Sequence, residues 1–185
     1  MTKGKQKQKD RSKSKVYQLI VGVVILAFIG LMLSDLFTKK KVSVNSNSLV
    51  NESKVYEFMK EGELTFQSKN GNYISGLDIE FADNDFERGQ GLMYRTEMKE
   101  NQGMLFIFPY EARQSFFMKN TIISLDMIFI NSDLEIVTIH KNTEPYTLDS
   151  YPSTSPAQYV LETIAGYTDK FNISESDNVI FRKTN

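Results

Sequence analysis

The sequence predicts a mainly β domain, an antiparallel β sandwich or barrel-like fold with one or two short helices, preceded by a single transmembrane helix. The β domain rests on short apolar runs, among them ELTFQ, YISGLDIEFA, GMLFIF, LDMIFI, LEIVTIH, AQYVLE and NVIFRK. Turn signals separate them: Asn-Gly in KNGN (Lys69–Asn72), NSD (Asn131–Asp133) and the two-proline YPSTSP (Tyr151–Pro156). The helix rests on VYQLIVGVVILAFIGLML (Val16–Leu33), 18 residues without a charge.

That apolar run spans roughly 27 Å as a helix, close to a bilayer core. The first 35 residues carry seven Lys/Arg against two Asp/Glu, and all seven cations precede Val16. The positive-inside rule then predicts a cytoplasmic N-terminus and an extracytoplasmic remainder. The run exceeds a signal-peptide core, and LMLSDLF offers no small-x-small cleavage site. It is apolar all round, unlike a soluble helix that buries one face. Thr38–Lys54 is polar, Ser/Asn-rich and without period, which predicts a linker. The expected organisation is a basic tail (1–15), an anchor (16–33), a linker (34–54) and a β domain (55–185), held at the plasma membrane by a single pass.

Charge and residue usage exclude several function classes. The remainder of the chain carries 15 Lys/Arg against 21 Asp/Glu, so the domain is acidic and no nucleic-acid partner is expected. The chain has no cysteine, which excludes disulfides, thiolate metal sites and Cys nucleophiles. One histidine, His140, cannot build a multi-His zinc site. No phosphate-binding, dinucleotide or G-x-S-x-G motif is present. No cofactor and no metal are expected.

Taken in order, Glu63–Gln67 alternates as a strand and Lys69–Asn72 turns it back. Tyr73–Ala82 places Leu77, Ile79 and Phe81 on one face, with Asp78 and Glu80 on the other. Asp83–Tyr94 opens on Asp/Asn cap residues, and its two glycines restrict it to a short helix. Gly103–Phe108, Gln114–Met118 and Leu125–Ile130 are apolar strands. Leu134–His140 pairs back as a hairpin, and Tyr151–Pro156 is a loop because proline interrupts pairing. Ala157–Glu162 is a strand, Gly166–Asn172 a helical turn and Asn178–Lys183 a last edge strand.

Five of these segments carry a resemblance. GLMYR (Gly91–Arg95), GMLFIF (Gly103–Phe108), FFMKNT (Phe116–Thr121), LDMIFI (Leu125–Ile130) and YVLE followed by AG (Tyr159–Glu162, Ala165–Gly166) occur in this order. Together they resemble the domain of unknown function 192 family of bacteria and archaea, over about residues 63–183. The resemblance implies a compact β-sandwich-like fold and supplies no activity. This chain has Phe117 where the family usually has tryptophan, and Ser124 where it usually has proline.

Polar groups set inside these apolar motifs are the candidate site: Arg95, Phe117, Lys119, Asn120, Asp126 and Glu162. A buried charge without a partner is too costly to keep, so these charges are either paired or exposed in a cleft. Three readings stay open. In one, the cluster is a structural network in which Asp126 accepts backbone N–H groups or pairs with Lys119 or Arg95, and Asn120 closes a turn. In another, it floors a pocket for a small-molecule, glycan or peptide ligand. In the third, Asp126 and Glu162 are the carboxylate pair of an envelope hydrolase. Met93, Met98, Met104, Met118 and Met127 suit core packing better than Cu(I) binding, since no tight Met-x-Met run occurs. His140 reads as a solvated residue at a strand end.

Overall fold

The computed structural model describes residues 57–184, and the expected anchor and linker lie outside these residues. Nine strands and two short helices follow in order: β1 (Gly62–Gln67), β2 (Tyr73–Ala82), α1 (Asp85–Gln90), β3 (Gln102–Ala112), β4 (Ser115–Phe116), β5 (Leu125–Ile130), β6 (Ile136–His140), β7 (Tyr151–Pro152), β8 (Ala157–Ile164), α2 (Tyr167–Lys170) and β9 (Asn178–Lys183). Seven strands form one sheet in the order β6-β5-β8-β3-β2-β1-β9, while β4 and β7 pair separately. No helix among the described residues is long and apolar enough to cross a membrane.

The fold is mainly β with two short helices, as expected, but the sheet is mixed. β2 and β3 run parallel, from Asp78↔Gln102 to Ala82↔Phe106. Residues 83–101, which join them, carry α1. Parallel neighbours need such a crossover, whereas antiparallel ones can be joined by a hairpin. Asn84 caps α1 by accepting the Glu87 N–H at 3.0 Å, and the Glu87 carboxylate reaches back to the Asp83 N–H at 3.2 Å.

The sheet curls without closing into a barrel. The approaches to β6 and β9, its two edges, meet at one antiparallel bridge, Glu135↔Asn178, and pairing goes no further. Two more differences concern the small sheet. Gln114–Met118 is strand only at Ser115–Phe116, because the chain turns at Lys119–Asn120, with Asn120 at φ 55°. Tyr151–Pro152, expected as loop, pairs with those two residues. A two-residue edge pairing spares the N–H that proline lacks.

Each face of the large sheet has its own core. One holds Leu64, Phe66, Ile79, Leu105, Ile128, Leu161 and Tyr167. The other holds Leu92, Met104, Phe106, Met118, Met127, Phe129 and Val160. Side chains alternate between faces along a strand. That alternation decides which candidate residues can meet.

Candidate functional site

Asp126 and Glu162 lie on opposite faces of the sheet. Asp126 pairs with Thr163 in the β5–β8 ladder, and Glu162 pairs with Met127 one step along. The two carboxylates therefore do not form a catalytic pair.

Asp126 is fully buried and its bonds are all accounted for within the fold. Its carboxylate accepts the backbone N–H groups of Asn142 (2.9 Å), Gly166 (3.1 Å) and Thr168 (2.9 Å), and the Thr168 hydroxyl at 2.6 Å. Asp126 thus supplies from another strand the cap that α2 lacks locally. Gly166 begins that helix at φ 83°, a left-handed conformation that glycine takes without steric cost. Lys119 is exposed and makes no ion pair among the described residues. Asn120 holds a turn: its side-chain N–H donates to Tyr94 Oη at 2.8 Å, and its carbonyl accepts the Tyr94 N–H at 2.9 Å.

Glu162 sits on the other face, in a row of directly paired residues that crosses five strands: Glu80, Met104, Glu162, Met127 and His140. Arg95 comes over this row from the turn after α1. Its Nη1 lies 2.6 Å from Glu80 Oε2, and both side chains are buried. The approach is a charge contact without hydrogen-bond geometry, because Glu80 Oε2 and Arg95 Nε have no hydrogen-bond partner among the described residues. Met59 N–H satisfies the other Glu80 oxygen at 2.9 Å.

The Glu162 side chain is only 5% exposed, lines the cleft described below and makes no hydrogen bond or ion pair among the described residues. Burial pushes its carboxyl up to about 8, and the nearby Arg95 charge pulls it back only in part. The acid is therefore mostly protonated at neutral pH, able to donate through O–H and accept through C=O.

Above Glu162 is a cleft of about 280 Å³, near the small end of ligand sites. Phe106, Phe108, Phe116 and Phe117 give it aromatic walls, with Leu92 and Met93 beside them. Phe116 meets Phe106 and Phe108 edge-on, at centroid distances of 5.0 and 6.2 Å. Phe117 is half exposed at the rim. Arg88, Gln90, Gln114 and Thr121 add polar groups. Gly91 belongs to the wall shared with a second cavity of about 200 Å³, lined by Glu80, Arg95 and Met104. Gly91 is at φ 48°, and a Cβ there would lie 3.1 Å from Phe106, so this wall has no room for a side chain.

The structure thus brings Phe117 and Glu162 to one cleft, with Arg95 behind its wall, and leaves Lys119 and Asp126 apart. Arg88, Gln90, Gln114 and Glu80 join the site from positions the sequence did not single out. Glu80 carried a signal, since it alternates with Leu77, Ile79 and Phe81 on a face that turned out to be packed. Met104, Met118 and Met127 are core residues. His140 ends the edge strand β6 and is partly exposed, as expected, but it also packs edge-on against Phe129 and Tyr151, with Nε2 2.8 Å from the Pro152 carbonyl oxygen.

Comparisons with known proteins agree with this fold. The chain is 36% identical to a solved protein of Sinorhizobium meliloti described as a candidate transcription regulator, with a TM-score of 0.63 over 68% of this chain and 97% of that one. A Novosphingobium aromaticivorans structure of unknown function is 31% identical, with a TM-score of 0.60 over 64% and 83%. A UPF0127 protein of Pyrococcus furiosus is 30% identical over 108 residues, 56% of this chain and 85% of its own length. A UPF0127 protein of Thermococcus sibiricus is 32% identical over 106 residues, and the match spans 55% of this chain and 64% of that relative. The Sinorhizobium chain is almost entirely this domain. The model of the domain of unknown function 192 family, described as Uncharacterized ACR, matches residues 65–181, and the chain belongs to that family.

Proposed function

We propose that the protein is a membrane-anchored binding protein of the cell envelope, and that its site is the aromatic cleft over Glu162. In this reading residues 16–33 cross the membrane, the N-terminus is cytoplasmic and the β domain faces outward. The uncharged run Val16–Leu33 behind a basic tail supports the anchor.

Glu162 carries the binding reading. A side chain nine-tenths buried, without a hydrogen bond, costs stability in an unliganded fold. Its position at the base of an aromatic cleft gives that cost a use: a ligand supplies the missing partner. Among small-molecule, glycan and peptide ligands, a cleft of this volume suits a small molecule. Asp126, by contrast, serves α2 and has no bond left to offer a ligand.

The alternative, an envelope hydrolase, keeps Glu162 as an acid but loses Asp126 as its partner. Glu80 is the other carboxylate of the same row, two strands away and so roughly 10 Å off. It is held against Arg95 in the neighbouring cavity. The binding reading is therefore the stronger.

A fragment screen by two-dimensional NMR on the isolated domain, residues 52–185, tests it. Aromatic fragments are expected to shift the amides of Leu92, Phe106, Gln114 and Phe116. Shifts confined to other surfaces, or none across the library, would refute the cleft as the site.

A further inference from the structure

The cleft and its shared wall hold hydrogen-bond donors without a full set of partners. Gln90 lines both cavities, and its Nε2, buried in the wall between them, meets no acceptor among the described residues. Arg95 Nε is unpartnered behind it. Arg88 is held at the cleft wall with its guanidinium over the Phe108 ring, donating to the Ile107 carbonyl at 2.8 Å and pairing with Asp85. Two of its five N–H donors account for those bonds, and the rest remain. Glu162 adds an acid O–H. Elsewhere in the row, the bare Glu80 oxygen already faces the Arg95 cation.

Buried donors without acceptors are satisfied by a ligand that brings acceptors. The aromatic walls select an apolar, flat body, and the guanidinium favours negative charge. Resting on the binding role proposed above, we infer that the cleft takes a small aromatic carboxylate, its oxygens accepting from the Glu162 acid O–H and from the side-chain donors of Gln90 and Arg88. A protonated acid beside a carboxylate makes a short, charge-assisted bond. An ionised Glu162 would repel the same ligand. The groups that bear on Glu162 are few. Arg95 and Arg88 approach from the turn and from α1, Glu80 and His140 lie two strands away on either side, and the adjacent strands present Met104 and Met127.

The sign of the pH dependence separates this ligand from a cationic one. A carboxylate needs the proton on Glu162, so its affinity is steady below about pH 8 and falls about tenfold per pH unit above. An amine would favour the ionised acid, and its affinity would rise with pH up to about pH 8 and level off above. The probes are 2-naphthoate, 2-naphthamide and 2-naphthylmethylamine, titrated into the isolated domain by NMR from about pH 6 to about pH 9. The expected order places naphthoate first and the amine last. Glu162→Gln keeps a neutral donor, so it is expected to retain naphthoate binding and to lose its pH dependence. Arg88→Gln is expected to weaken naphthoate by about tenfold or more and to leave naphthamide nearly unchanged. A preference for the amine, or naphthoate affinity that is flat above pH 8 in the wild type, overturns the ligand class and leaves the cleft as a binding site. Failure of all three probes to shift any cleft amide overturns both.

Discussion

Glu162→Gln should stabilise the domain, and by an amount that depends on pH in a defined way. The Glu162 carboxyl titrates at about 8 in the fold against an ordinary value of 4.5. Its folded-state value is raised, so folding takes up a proton between those limits. The stability this acid allows is fully present below about pH 4.5 and is lost as pH climbs towards 8. At about 1.4 kcal/mol per pH unit, the loss is roughly 3 kcal/mol at pH 7 and at most about 5 kcal/mol above pH 8. Glutamine has nearly the same shape, stays neutral and needs no proton. Urea unfolding of the wild type and of Glu162→Gln at matched pH values between about 4 and 9 measures the difference directly. The two should coincide near pH 4, diverge with the stated slope, and run parallel above pH 8, with the variant the more stable. Titrations common to both proteins cancel in the difference. A difference that stays within about 0.5 kcal/mol across the whole range would refute a neutral, desolvated Glu162.

Three other perturbations follow from the same geometry, and a reporter fusion tests the proposed topology. Asp126→Ala strands three backbone N–H groups and the Thr168 hydroxyl, and should cost at least about 3 kcal/mol by urea unfolding; naphthoate affinity should stay unchanged, because Asp126 faces away from the cleft. Lys119→Met should move stability by less than about 0.5 kcal/mol, and the double change with Asp126→Ala should be additive within about that margin, since the two residues share no contact. Arg95→Met leaves Glu80 buried without its cation and should cost about 3–5 kcal/mol; it should also move the Glu162 titration, followed by carboxyl-carbon NMR, to higher pH. A reporter that is active only outside the cytoplasm, fused after Asn185, should be active, and a fluorescent reporter that folds only in the cytoplasm should be dark; the opposite pattern would sink the proposed topology.

How far the sequence carried these conclusions varies by element, for physical reasons. Period-two alternation located β1 and β2, whose packed face forces apolar residues to alternate, while β5, buried along its whole length, was legible only as a short apolar run. It could not tell parallel from antiparallel neighbours. That choice lies in the connection, and residues 83–101 are too long for a hairpin and hold a helix. Asp126 and Glu162 were both legible as odd charges in apolar motifs. Their separation was not, because it depends on the β5–β8 register, and one residue of slip would bring both to the same face. Glu80 was taken for a solvent-facing residue, since alternation marks which residues share a face and not what covers it. Arg88 and Gln90 sit on a short helix with no buried residue, where spacing carries little signal.

The register has a consequence for how the motifs of this chain divide their work. LDMIFI places Asp126 on one face and Met127 on the other, and YVLE places Glu162 beside Met127. The first face closes over α2, with Asp126 holding three backbone N–H groups. The second face is finished by two covering segments, the α1 turn with Leu92 and the Phe116–Met118 stretch, which meet over Met104 and Met127 without filling the space above Glu162. A packed core would place an apolar side chain at position 162, at no desolvation cost. An acid there is destabilising above its ordinary pKa and unsatisfied in the fold, while the acid at 126 is satisfied four times over. Residues that make a fold secure and residues that a fold tolerates at a cost are different kinds of evidence about function. By that criterion Glu162, together with the donors around it, marks the site, and Asp126 marks the scaffold.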